Sequence, residues 1–310
     1  MTMRLFLILC AFCASVVNSS ATEKQTRQAI ERAIPFIEEE GVNWIEKRNC
    51  VSCHRINTMV WSLSLAKAKG FAVSDELDEW IDWSVKASLG KNDKGKIVGH
   101  LNKEGVAQLM YGLDLPKSKS DQLAALLPNA QREDGTWKPG GQLPGQKRPV
   151  TETSLTSTQW IALVADDKTA ARALPAIAKS APGKSTEWYA LQLLLAVKAD
   201  DAKARAQAAK ALLAHQHEDG GWGWLTADPS DALGTGLALY ALQRAGHAPN
   251  DKPLAKARAF LLKTQRKDGS WPVRGTKAKK KKSVEETAVY WGTTWAVIAL
   301  ANGLPTELCD

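Results

Sequence analysis

The chain has 310 residues, 44% of them hydrophobic and 24% charged, which is enough to bury one large core or two small ones. Its formal charge of +8 is moderate and patchy, and no nucleic-acid-binding motif accompanies it, so no nucleic-acid partner is expected. Cys10 and Cys13 fall within the first 21 residues, and the remaining Cys50, Cys53 and Cys309 are an odd set, which argues against a disulfide framework.

The N-terminus reads as an export signal. A basic start at Met1–Arg4 precedes the thirteen-residue apolar run Leu5–Val17, and Ser19-Ser20-Ala21 offers small residues for cleavage. The run is short of the about 20 residues that cross a bilayer, and no later stretch is longer and more apolar. The expectation is a signal peptide over 1–21, cleaved near Ala21. A periplasmic or otherwise exported single domain over 22–310 would follow, with no membrane span after cleavage.

An amphipathic helix is predicted near 24–40. After it comes Cys50-Val51-Ser52-Cys53-His54. Two thiols at this spacing can reach both vinyl groups of one porphyrin, and the adjacent imidazole is placed to bind iron. One covalent haem c is therefore expected on Cys50 and Cys53, with His54 as proximal iron ligand. A thioredoxin-like pair would want a strand-to-helix context, and structural zinc would want a second ligand pair, and neither is found. A Cys50–Cys53 disulfide stays open. Lys47 and Arg48 could pair with haem propionates or simply charge a helix end.

Helical periodicity dominates the rest, and strand signals are nearly absent. Gln131-Arg-Glu-Asp134-Gly135-Thr-Trp137, Gln216-His-Glu-Asp219-Gly220-Gly-Trp222 and Gln265-Arg-Lys-Asp268-Gly269-Ser-Trp271 are one motif written three times. Each closes an amphipathic helix with an Asp-Gly turn, where glycine tolerates the left-handed backbone of a helix end. Amphipathic helices are predicted near 24–40, 75–89, 118–131, 168–180, 202–216 and 253–266. More uniformly apolar ones alternate with them near 54–69, 102–113, 152–165, 185–198, 230–245 and 284–301. Ser185, Ser230 and the capping box Ser283–Glu286 are expected to start the last three. Apolar helices belong inside and amphipathic ones outside, so the fold class is all-α, an (α/α)6 toroid of six inner and six outer helices.

These Gln-x-x-Asp-Gly-x-Trp repeats resemble the QW motifs of squalene-hopene cyclases, related terpenoid cyclases and protein prenyltransferases. The resemblance implies the toroid, and an architectural role for Gln131, Trp137, Gln216, Trp222, Gln265 and Trp271, bracing outer-helix ends against the next inner helix. The Asp-x-Asp-Asp acid motif of squalene-type cyclases is missing, and Asp166-Asp167 and Asp200-Asp201 fall at turns. The prenyltransferase zinc set is missing too, since Cys309 sits in a terminal tail.

With the haem motif at an outer-to-inner connection, the haem would lie at the rim of the toroid. His100 precedes the second inner helix on that rim and is the expected distal ligand. Met110, Met59 or an open sixth position are the alternatives, while His247 belongs to the opposite rim and His215 and His217 to a distant helix pair. Long loops over 91–99, 137–150 and 272–283, the lysines at 277 and 279–282, and six helix N-termini make this rim electropositive, as an acidic redox partner protein would require.

The leading expectation is an exported c-type haem protein serving electron transfer or redox sensing. The first alternative is a haem-dependent oxidoreductase or cyclase-like enzyme acting on an apolar, isoprenoid small molecule in the toroid cavity, with Trp61, Trp160, Trp188, Trp291 and Trp295 as candidate lining. The second is a non-catalytic binding scaffold with a Cys50–Cys53 disulfide.

Overall fold

The computed structural model describes residues 3–51, 55–141, 143–280 and 283–305, with side chains described from residue 22 onward except at 280. Six apolar helices form an inner ring: α2 (Ile56–Ala68), α5 (Lys103–Gly112), α7 (Val150–Val164), α9 (Thr186–Lys198), α11 (Ala232–Arg244) and α13 (Glu286–Asn302). Each packs on the next, and α13 closes the circle on α2. Outside them run α1 (Met3–Arg48), α3 (Leu77–Leu89), α6 (Lys117–Ala124), α8 (Asp167–Ala178), α10 (Ala202–Leu213) and α12 (Lys252–Thr264). A short α4 (Val98–Leu101) leads into α5. Among the described residues there are isolated bridges and no strands.

Burial explains the division. Every residue of α13 from Ala288 to Ala301 is buried, as is every residue of α11 from Ala232 to Leu242. The outer α12 buries only Leu254, Ala257 and Leu261, the i, i+3, i+7 stripe of a one-sided helix. The helix starts differ in part from the expected ones. Ser185 caps α9, its hydroxyl accepting from the Trp188 amide. Asp231, not Ser230, caps α11 and Glu285, not Ser283, caps α13, because a carboxylate at the last extended residue reaches the free amides with more charge than a hydroxyl. The first helix begins at Met3 rather than near 24, taking in the apolar N-terminal run.

The three repeats share one geometry. The indole N–H of Trp137, Trp222 and Trp271 donates to the carbonyl ten residues earlier, on Leu127, Leu212 and Leu261, at 2.8–2.9 Å. Each tryptophan's backbone amide donates to a threonine hydroxyl of the following inner helix, on Thr158, Thr235 and Thr293. The glutamines differ from the expected bracing. Gln131, Gln216 and Gln265 donate to Thr169, Pro253 and Ala29, backbone carbonyls of the next outer helix rather than the next inner one. The last of these bonds ties the final repeat back to α1 and so helps close the outer ring. Gly135 and Gly269 sit at φ +82° and +84°, and a Cβ on either would lie 1.9 Å from a carbonyl oxygen of the neighbouring outer helix. Any side chain there would push the two helices apart.

Candidate functional site

Loops that lead from outer to inner helices in the third, fifth and sixth pairs meet on one rim. Gln146 forms a bridge pair with Lys277, and the Lys147 amide donates to Thr276. The Lys147 ammonium pairs with Asp228 and lies 5.5 Å from the Trp224 ring centre. Loops of the third, fifth and sixth helix pairs are thus tied together over the centre of the ring.

From this strap Arg148 turns inward. It is buried, donates to Glu187 Oε2 at 2.5 Å and stacks 5.3 Å from the Trp224 ring centre. Glu187 Oε1 accepts from the Trp160 indole at 2.9 Å, so this carboxylate is held between strap and core. Glu152 serves the same rim structurally, accepting from the Lys184 and Ser185 amides and the Ser185 hydroxyl. Glu104, on α5, is different. One carboxyl oxygen accepts from Ser157 at 2.6 Å, and the other has no hydrogen-bond partner although the residue is buried. Burial, then the nearby Glu187 charge, push its carboxyl from the ordinary 4.5 up to about 7, against the pull of Arg148 and Ser157. With Arg148 already matched to Glu187, Glu104 keeps its proton up to about pH 7. A buried carboxyl that holds its proton to near neutral pH is a candidate proton donor.

Directly beneath lies an aromatic floor. The rings of Trp61, Trp160, Trp295, Tyr111 and Tyr240 meet with centroids 5.1–6.4 Å apart, mostly edge to face. Three of the five tryptophans expected to line a cavity are here, packed ring against ring. Trp188 points away, packing over Gly183. Tyr111 and Tyr240 were not foreseen, and neither was Glu104. The available signal was an acid in the first turn of otherwise apolar helices, at Glu104, Glu152, Glu187 and Glu286.

The expected haem residues stand as follows. Cys53 and His54 lie outside the described residues. Cys50 is a free, exposed cysteine. The Trp44 indole donates to its carbonyl at 2.9 Å, and Asn102 donates to the Val51 carbonyl at 3.2 Å, so α4 and α5 meet beside the motif. His100 is partly exposed on α4, two residues before that contact. Met59 is wholly buried against Gly41 and Tyr290. His217 bonds the Ser230 hydroxyl and the Thr226 carbonyl. His247 lines a groove of about 520 Å³ on the opposite rim, away from the acid cluster. Among the described residues, no group of three or more His, Cys, Asp or Glu side chains is placed to hold a metal. Among the same described residues, no helix is long and apolar enough to cross a membrane.

Comparison with known proteins bears on this arrangement. Residues 185–270 match the family described as squalene-hopene cyclase N-terminal domain. A stretch of 88 residues is 39% identical to a drimenyl diphosphate synthase of Streptomyces showdoensis, covering 27% of this chain and 16% of that protein. A similar enzyme of Streptantibioticus cattleyicolor is 39% identical over 74 residues, 24% of this chain and 14% of the relative. The matches thus span about one-sixth of these curated relatives. Among solved structures, the type II terpene cyclase MstE from Scytonema, in complex with merosterolic acid A, superposes with a TM-score of 0.59 at 14% identity, covering 91% of this chain and 98% of that one. An unsaturated glucuronyl hydrolase from Bacillus sp. GL1 gives 0.54 at 13% identity, covering 89% and 96%. The fold is a terpenoid-cyclase-like α/α toroid.

These relatives overturn the leading expectation. The electron-transfer or redox-sensing cytochrome suggested by the cysteine motif does not fit a chain whose sequence matches are to drimenyl diphosphate synthases and a cyclase family. The physical reason is one of scale. A five-residue motif describes an attachment chemistry, whereas the matches to the synthases and the cyclase family run over 74 to 88 residues.

Proposed function

We propose that this toroid is a cyclase-like enzyme that protonates a carbon–carbon double bond of an isoprenoid substrate, with Glu104 as the acid. One observation carries the reading: Glu104 is buried, keeps its proton up to about pH 7, is bonded through one oxygen to Ser157, and has its other oxygen unpartnered. In the step, the proton leaves the Glu104 carboxyl, the alkene π pair becomes the new C–H bond, and positive charge appears on the neighbouring carbon. A second double bond can then close a ring onto that carbon, which moves the positive charge to the far carbon of that bond. Loss of a neighbouring proton to water gives the neutral product, and solvent returns a proton to Glu104. The aromatic floor presents electron-rich rings to such a cation. Glu187 stays paired with Arg148 and keeps the charge around the acid balanced. The resemblance of residues 185–270 to a cyclase family supports the substrate class, and Glu104 supplies from another helix the acid that the missing Asp-x-Asp-Asp motif would have provided.

The test is incubation of the full chain with squalene, farnesol and farnesyl diphosphate in dilute detergent, with products read by gas chromatography and mass spectrometry. A cyclised product is expected from at least one. Glu104→Gln should lower its formation by about 100-fold or more, the usual contribution of a general acid. Absence of cyclised product, or full activity in Glu104→Gln, would refute the reading.

Covalent haem at Cys50 and Cys53, with His54 as iron ligand, is proposed as a cofactor of this same protein. The free, exposed Cys50 is compatible with thioether formation. Export with cleavage near Ala21 belongs to the same proposal, as does His100 as a second iron ligand. Intact mass after expression in a host with cytochrome c maturation decides it, by the presence or absence of one added haem and by the new N-terminus.

A further inference from the structure

Between the rim and the aromatic floor lies a layer of polar side chains with unused bonding capacity. Asn57 and Gln108 are both wholly buried, and neither amide atom of either one has a partner. The same is true of Glu104 Oε1. Spacing brings these groups together. Glu104 and Gln108 are i, i+4 neighbours on α5, so they share a face. A Cβ built on Gly105 would lie 2.4 Å from the Asn57 amide nitrogen, which places Asn57 of α2 against the same turn of α5. Asn57 is one turn above Trp61, and Ser157, bonded to Glu104, is one turn above Trp160. The floor of the niche is therefore the aromatic cluster itself.

A buried amide without partners is unfavourable by roughly 1–3 kcal/mol, and an apolar side chain of the same shape would avoid that. Two such amides beside a buried carboxyl make a site that both donates and accepts hydrogen bonds. Its charge is equally informative. Glu104 and Glu187 face it, and Arg148 is charge-matched by Glu187 through Nη1, while its Nε and Nη2 have no hydrogen-bond partner. A diphosphate would bring further negative charge to a place where the charge of Arg148 is already balanced by Glu187.

We propose that Asn57, Gln108 and Glu104 form a binding niche for a neutral oxygen function, a hydroxyl or carbonyl, at one end of the substrate. This inference rests on the isoprenoid reading above and narrows it: the molecule taken in is an oxygenated isoprenoid rather than a diphosphate ester or a pure hydrocarbon. The amides orient the oxygen, and the hydrocarbon tail lies toward the aromatic floor and the Glu104 acid.

The test uses three probes of one carbon skeleton: farnesol, β-farnesene and farnesyl diphosphate. Binding to the full chain in dilute detergent is read by quenching of tryptophan fluorescence. Farnesol is expected to bind about tenfold more tightly than either of the others, the worth of one or two net hydrogen bonds. Gln108→Met and Asn57→Leu should remove that preference. Gln108→Met should at the same time leave the melting temperature unchanged or raise it, since it replaces an unpartnered amide by an apolar side chain of similar shape. That readout separates a binding amide from a structural one. Equal binding of farnesol and farnesene, tighter binding of the diphosphate, or a fall in melting temperature with farnesol preference intact would each overturn the niche. Farnesol preference without any cyclised product would uphold the niche and refute the cyclase reading. Cyclised product with equal binding of farnesol and farnesene would do the reverse.

Discussion

Arg148, on a loop over the mouth of the ring, donates to Glu187 in the first turn of α9 at 2.5 Å, and both side chains are fully buried. The pair joins the loop strap to the inner ring and sets the electrostatics around Glu104. Removing one partner leaves a buried charge uncompensated, a change that typically destabilises by about 3–5 kcal/mol. Arg148→Met should therefore lower unfolding free energy by about that amount in urea titration. Arg148→Met combined with Glu187→Gln should recover much of the loss. Additive losses in the double variant would show that the two residues act separately.

The pH dependence of stability has two buried sources: Asp231, whose carboxyl burial pushes up to about 6, and Glu104, with Glu187, Glu152 and Arg148 facing its region. For Glu104 the folded-state value is raised by burial above the ordinary 4.5 to about 7, so the native state holds its proton longer than the unfolded chain. The stabilisation is complete below the unfolded value and is lost as pH rises through about 7. Melting temperature should thus fall between about pH 5 and pH 8 in the wild type. Glu104→Gln should flatten that slope, and an unchanged slope would move the titrating group elsewhere.

Trp222 has no exposed surface and bonds Leu212 through its indole. Trp222→Ala should cost about 3–5 kcal/mol through lost burial and cavity formation. Trp222→Phe keeps much of the volume and loses the indole hydrogen bond, about 1 kcal/mol on its own. Calorimetry of the two variants separates packing from bonding, and equal losses would mean the hydrogen bond dominates.

Gly269 and Gly246 have nearly the same left-handed backbone, φ +84° and +90°, but different surroundings. A Cβ at Gly246 meets nothing within 4 Å, whereas at Gly269 it meets the Arg32 carbonyl at 1.9 Å. Gly246→Ala should cost only the left-handed penalty of about 1–2 kcal/mol. Gly269→Ala should cost clearly more, since α1 and the last repeat must separate. Similar melting temperatures for both would contradict the close approach.

The helix ladder was legible because its information is local. Apolar residues all around α13 and a narrow apolar stripe on α12 follow from residue order alone, and inner helices were located to within a few residues. The repeated Asp-Gly turn announced itself for the same reason, since glycine is the residue that accepts φ near +85° without strain. Ser230 and Ser283 misled because they sit one or two residues before the carboxylates of Asp231 and Glu285, which occupy the true capping positions. The cysteine motif misled about function because its five residues speak strongly and independently of the surrounding chain.

The sequence by itself determined the all-α class, the alternation of buried and covering helices, and hence the toroid, since a period of 3.6 and the width of an apolar face are properties of each segment alone. Only the tertiary structure decided that Glu104 of α5 meets Ser157 of α7 near the Arg148–Glu187 pair, and that Trp61, Trp160, Trp295, Tyr111 and Tyr240 pack ring against ring. These residues are tens to hundreds of positions apart, and the proton affinity of a carboxyl depends on how much water and which charges closing the ring leaves beside it. In residue order Glu104 is an ordinary acid in a helix's first turn. Burial inside a closed ring, beside a carboxylate whose cation is already taken, raises its proton affinity to about 7.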